Sequence, residues 1–268
     1  MTTHSQPQAG PIGVFDSGLG GLTALRRLRA LAPQCDIIYF GDTARVPYGP
    51  RDTETLVRFA RENVEFLRRE GAVRVLVACG TISSVLPKED WAALPLPCQG
   101  VIHAAADAAL AATGNGRIGI LATAATVRSG SYEQRLHSRR EGLLTVPVAC
   151  PDFVPLIEAG KAESEELRLA AREYTAAIKA AGCDTVILGC THYPLASRIL
   201  AEELGPNVTL IDSGGEAAAA LLQSLPEGSA AGSGCLRCCV SGNAEDFAKN
   251  AAALLGEALL PQVEHIDL

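Results

Sequence analysis

The chain has 268 residues, 48% of them hydrophobic and 20% charged, with a formal net charge of −7. That length can bury the core of one large domain or two modest ones, and the acidic balance argues against nucleic acid or an anionic membrane as a partner. A small anionic ligand is still allowed, because a few local donors override the global sign.

Residues 1–10, MTTHSQPQAG, lack the basic start and apolar run of a secretory signal and read as a flexible N-terminus. No apolar run, the one around Val75–Cys79 included, is long enough to span a bilayer. Nine cysteines without a signal predict a cytoplasmic, reducing setting, in which thiols do chemistry, bind metal or fill cores.

In chain order, short β-rich apolar runs fall at Ile12–Phe15, Ile37–Phe40, Val73–Ala78, Gln99–Ile102, Arg117–Leu121, Leu144–Ala149, Thr185–Gly189 and Val208–Asp212. Helical spacing appears between them at Leu22–Leu31, Thr53–Glu70, Ile102–Ala112, Ser131–Glu141 and Glu166–Ala181, and again at Gly215–Ser224. Strands alternating with amphipathic helices predict an α/β fold on parallel sheets. Residues 226–234, PEGSAAGSG, read as a flexible loop. The two halves echo each other, since VLVACGT ends near Cys79 and VILGCTH near Cys190. We therefore expect two similar parallel-sheet α/β domains facing each other, with the active site in the cleft between them. The boundaries expected are 11–103 plus 213–268 for the first domain and 104–212 for the second.

In open α/β sheets, ligands sit beyond the carboxyl ends of the strands. Those ends carry Asp16-Ser17, Gly41-Asp42, Cys79-Gly80-Thr81, His103, Thr123, Cys150, Cys190-Thr191-His192 and Asp212-Ser213. Most buried cysteines are inert packing residues, and Cys35, Cys98, Cys150 and Cys183 read that way. Cys79 and Cys190 differ, because each ends a strand beside a threonine and precedes a turn of helix. Backbone N–H groups and the helix dipole at such a corner are expected to lower a thiol pKa and make a base available. Asp16-Ser17-Gly18-Leu19-Gly20-Gly21 lacks a dinucleotide or phosphate-loop register. Asp16 can face a thiol or an ammonium group there, or cap the following helix, while Ser17 and the backbone can hold a carboxylate. Thr123 and Thr126 offer hydroxyls to a distal carboxylate, or simply form a cap. His192 can assist proton transfer at Cys190. Cys235-x-x-Cys238-Cys239 has the most metal-like spacing, but no second pair follows, so no metal site is expected. No motif marks a cofactor, and none is expected.

At these residues the chain resembles the glutamate racemases of the aspartate/glutamate racemase family. The segments that carry the resemblance are GVFDSGLGG (13–21), YFGDTARVPYG (39–49), VLVACGTISS (75–84), GILATAATVRSGSY (119–132), VPLIEAG (154–160) and LGCTHYPL (188–195). The resemblance implies cofactor-independent interconversion of L- and D-glutamate, D-glutamate for peptidoglycan, and a homodimer. It implies that Cys79 and Cys190 are the two proton donors and acceptors, tuned by Asp16, Glu158 and His192. It places Asp16, Ser17, Tyr48, Gly49, Thr81, Thr191 and His192 against the substrate. Gly80 departs from the family pattern, which has Asn after the first cysteine, and removes an amide from the substrate's surroundings. On sequence alone, Gly80→Asn is expected to hold or improve turnover. Other readings of the same residues are a decarboxylase or isomerase of another small acid, an acidic-ligand binding module, and a redox or zinc protein.

Overall fold

The computed structural model describes residues 10–226, 232–255 and 262–268. The expected flexible N-terminus, apart from Gly10, lies outside the described residues, as does most of the 226–234 loop.

Six strands form a first, all-parallel sheet: β1 (Ile12–Asp16), β2 (Ile37–Gly41), β3 (Arg74–Val77), β4 (Cys98–Gly100), β9 (Leu236–Val240) and β10 (Val263–His265), in the order β10-β9-β2-β1-β3-β4. A second parallel sheet has the order β6-β5-β7-β8, from β5 (Arg117–Ala122), β6 (Leu144–Ala149), β7 (Thr185–Leu188) and β8 (Thr209–Asp212). The chain thus folds as two parallel-sheet α/β domains.

Side chains alternate across each strand and fill three cores. Ile12 and Val14, Leu76 and Ala78, Ile118 and Ile120, and Ile187 all point into one cluster between the sheets. That cluster is filled by α1 (Gly21–Leu31), α5 (Val101–Ala112) and α11 (Ser213–Gln223), which pack on one another. Phe15, Phe40, Val75, Val77 and Cys79 take the opposite phase and pack outward under α2 (Thr53–Arg69) and α3 (Gly80–Val85). Val186, Leu188 and Cys190 do the same in the second domain, under α9 (Glu165–Ala180) and α10 (Ser197–Leu204). Cys79 and Cys190 therefore stand in corresponding phases of corresponding strands.

The helices that the sequence marks by periodicity lie within two residues of expectation. Asp52, Thr123, Ser164 and Asp212 cap α2, α6 (Ala124–Ser129), α9 and α11 through their side chains. The tail differs from expectation. Cys238 and Cys239 lie on β9, and alternation sends Cys238 into the core between the sheets and Cys239 into the outer core. Residues on opposite faces of one strand cannot converge on one ion, so Cys238 and Cys239 serve as packing, while Cys235 ahead of them is exposed. After it, α12 (Ala244–Leu255) and β10 complete the first domain. Among the described residues, no helix is long and apolar enough to cross a membrane.

Candidate active site

The carboxyl ends of both sheets open onto one cavity of ≈ 570 Å³. Its wall includes Asp16, Ser17, Tyr48, Gly49, Cys79, Gly80 and Thr81 from the first domain, and Thr123, Glu158, Cys190, Thr191 and His192 from the second. Of the residues expected at the site, Thr126 alone does not line it. As the third residue of α6 it turns back, accepting from Thr123 Oγ1 at 3.1 Å and meeting Ser84 Oγ at 3.3 Å across the domain boundary. His103 sits exposed on α5, outside the wall, and Asp212 is spent capping α11.

Each thiol has its own set of polar neighbours. Cys79 occupies the N-cap of α3 and points its sulfur at Ser17 Oγ, 3.8 Å away. Beside them Asp16, at the end of β1, accepts from the N–H groups of Gly18 and Gly21 at 3.1 and 3.0 Å. Burial raises the Asp16 pKa against the opposing pull of His192 and these N–H groups. Burial also pushes the Cys79 thiol up to about 12, and Asp16 adds to it, outweighing the N–H of Ile82 and the contacts of Ser17. This corrects the expectation that the helix corner lowers this thiol: α3 is only six residues long, and desolvation beside a carboxylate exceeds its dipole. Cys79 is thus held as the protonated thiol.

Across the cavity, Cys190 Sγ lies 3.7 Å from His192 Nδ1, and His192 Nε2 lies 3.0 Å from Glu158 Oε1. Burial disfavours the imidazolium, but hydrogen bonds to Cys190 and Glu158, with the charges of Cys190 and Asp16, outweigh it and raise His192 to about 10. Glu158 ends the short helix α8 (Phe153–Glu158) and reaches His192 from the rim.

Two further placements refine the sequence reading. Tyr48 reaches the wall, but its hydroxyl donates to the buried Asp42 and accepts from Asn63 Nδ2 at 3.1 Å. Asp42 also takes Arg45 Nε and Ser241 Oγ, each at 2.7 Å. Tyr48 therefore offers the cavity its ring and backbone while its oxygen braces the loop. Gly80 lies against the other domain: a Cβ there would stand 2.9 Å from the carbonyl oxygen of Gly189. A side chain at 80 therefore requires a backbone shift, which weighs against the expectation that Gly80→Asn holds or improves turnover.

Sequence reasoning missed several wall residues. Cys150, read as packing, is buried in the second domain's outer core and also borders the cavity. Asn243, Asp246, Phe247 and Asn250 reach it from the start of α12. A signal for this helix was present: Asn243 Oδ1 accepts from Asp246 N at 2.9 Å, a cap ahead of the Phe247/Ala251 apolar pair.

With the paired thiols in place, comparison with known proteins decides the family. The Asp/Glu/Hydantoin racemase family matches residues 23–221. The chain belongs to that family. It is 43% identical to the glutamate racemase of Chlorobaculum tepidum over 214 residues, 80% of this chain and 79% of the relative. A glutamate racemase of Bacillus anthracis has the same fold, with a TM-score of 0.88 and 34% identity over 97% of this chain and 98% of that one. A glutamate racemase of Francisella tularensis, solved in complex with D-glutamate, matches with a TM-score of 0.84 and 30% identity, covering 96% of this chain and 97% of that one. Within the family the chain stands with the glutamate racemases; it is an amino-acid racemase and hence an isomerase.

Proposed function

We propose that the chain interconverts L- and D-glutamate by a two-base mechanism in which Cys79 and Cys190 act on opposite faces of the α-carbon. The observation that carries this reading is the pair of thiols at corresponding strand ends, one from each domain, across one cavity. In one direction the Cys190 sulfur, as thiolate beside the His192 imidazolium, removes the α-proton. The Cys79 thiol gives its proton to the other face, leaving Cys79 as thiolate and Cys190 as thiol. The reverse reaction exchanges these roles. Glu158 accepts from His192 and helps hold it charged beside the Cys190 sulfur.

Ser17, Thr81, Thr123, Thr191 and the backbone at Gly49 and Gly80 are the groups proposed to hold the substrate. They are neutral donors, so binding relies on several hydrogen bonds in a closed site. That the relative from Francisella binds D-glutamate supports the choice of substrate. The same reading has the protein working without a cofactor, as a homodimer in the cytoplasm, and supplying D-glutamate to peptidoglycan. The family likeness and nine free cysteines support it.

The test is racemisation of L-glutamate by the purified protein, with α-proton exchange followed in deuterated water. Cys79→Ser and Cys190→Ser should each abolish racemisation while keeping the fold. Each should keep exchange at most with the enantiomer that its remaining thiol faces. Full activity in either variant overturns the two-base reading.

A further inference from the structure

The cavity proposed to bind glutamate, which carries two carboxylates, has no lysine or arginine in its wall. Its acidic members are Asp16, Glu158 and Asp246. Directly beside it lies a second cavity of ≈ 400 Å³, and Gly49 and Thr81 belong to both walls. The charged side chains of this second cavity are Arg51 and Arg128, without a carboxylate among its lining residues, and Thr53, Thr81, Ser84 and Ser129 add hydroxyls. Arg51 precedes α2 in the first domain, and Arg128 lies in the last turn of α6 in the second. Both side chains are exposed, and each comes from a different domain.

In a chain of net charge −7, this recess gathers two guanidinium groups and four hydroxyls with no carboxylate among its lining residues. Arginine presents a planar fork of donors that matches an oxyanion, and hydroxyls complete such a shell. We infer that this recess is an anion subsite, where a carboxylate of the incoming amino acid is captured before it passes between the thiols. The inference rests on the glutamate reading above. It resolves an electrostatic difficulty in that reading: a dianion must approach a wall that bears acids. Fixed positive charge beside the entrance raises the local concentration of an anion, and low-dielectric walls focus the field. Because the two arginines come from different domains, an anion held by both would bridge the domains beside the thiol cavity.

The experiment uses the intact protein, with inorganic phosphate as probe and potassium chloride at matched ionic strength as control. In the wild type, phosphate should compete with glutamate more strongly than chloride does. R51A/R128A should raise KM about tenfold, at the low end of what focused fields supply, keep kcat, and lose the phosphate effect. R51K/R128K should raise KM by less than R51A/R128A does, because the charge remains while the planar fork is lost. Broadening of the phosphate ³¹P resonance by the protein, lost in R51A/R128A, reports the subsite without turnover. If the wild type shows no glutamate turnover but the broadening follows the arginines, the glutamate reading fails and the anion subsite stands. A wild-type KM in R51A/R128A, or equal phosphate inhibition in both proteins, overturns the subsite. Phosphate inhibition that depends on the arginines but is not competitive with glutamate overturns substrate capture.

Discussion

Replacing Thr23 by Val should loosen the Cys190–His192 turn from across the domain boundary. Thr23 lies in the first turn of α1 and is 3% exposed. Its hydroxyl donates to the carbonyl of Thr191, the residue between Cys190 and His192, at 2.7 Å. Three residues on from that carbonyl stands Pro194, which has no N–H to replace the donor. Val keeps the shape of Thr and removes the hydroxyl, so the variant leaves a buried acceptor unpaired, at about 1–3 kcal/mol. At about 2–4 °C per kcal/mol for chains approaching this size, the melting temperature should fall by several degrees. If part of that energy is relieved by movement of the Cys190–His192 turn, each 1.4 kcal/mol or so taken from transition-state positioning lowers turnover about tenfold. Thermal unfolding and kcat in both directions measure the two parts, and Thr23→Ser should restore both. A Val variant with unchanged melting temperature and unchanged kcat would refute the reasoning, because the carbonyl would then not depend on the hydroxyl.

Gly80→Asn should reduce turnover, since its Cβ must displace the Gly189 carbonyl from 2.9 Å and so part the strand ends that carry the thiols; activity equal to wild type would sink this. Gly20→Ala should be more damaging, because its Cβ would lie 2.5 Å from His192 Nδ1 and 2.6 Å from Thr191 Oγ1, and kcat is the quantity to follow. Glu158→Gln replaces the carboxylate that helps raise His192 with a neutral amide, so the alkaline limb of kcat/KM should move to lower pH than in the wild type. The sign for stability is the same: the gain from charged His192 is complete below about 6.5 and disappears as pH rises through about 10. In Glu158→Gln that loss should come at lower pH in denaturant titrations, and an unmoved profile would count against the Glu158–His192 link.

The fold was legible because every strand-to-helix unit from Ile12 to Gln223 keeps its own hydrophobic period, and parallel strands buried on both faces read as unbroken apolar runs. The tail was not. LRCCV on β9 contains an arginine and two cysteines, and those cysteines sit at a spacing that also belongs to metal ligands, which masked the strand. At the site, position after a strand brought out Cys79, Cys190, Asp16 and His192, since topology alone sends such residues to one edge. Direction of side chains could not be read that way. Thr126 and Thr123 are indistinguishable in sequence, and only the turn of α6 sends one to the cavity and the other to Ser84. The pKa of Cys79 was misread for a related reason, because its burial, and after that a carboxylate from a strand more than sixty residues away, opposes its ionisation.

The apolar cluster between the two sheets runs without a break from Ile12 and Val14 to Ile118 and Ile120. Splitting it would expose apolar surface at about 25 cal/mol per Å², so the domains are welded along that side. At the strand ends they meet instead through small groups: Gly20 on His192, Gly80 under Gly189, and one hydroxyl pair, Ser84 and Thr126. The molecule is therefore built like a clothes-peg. Its spring is the shared core, its jaws are the two cysteine-bearing strand ends, and the small residues at the jaws set how nearly they shut.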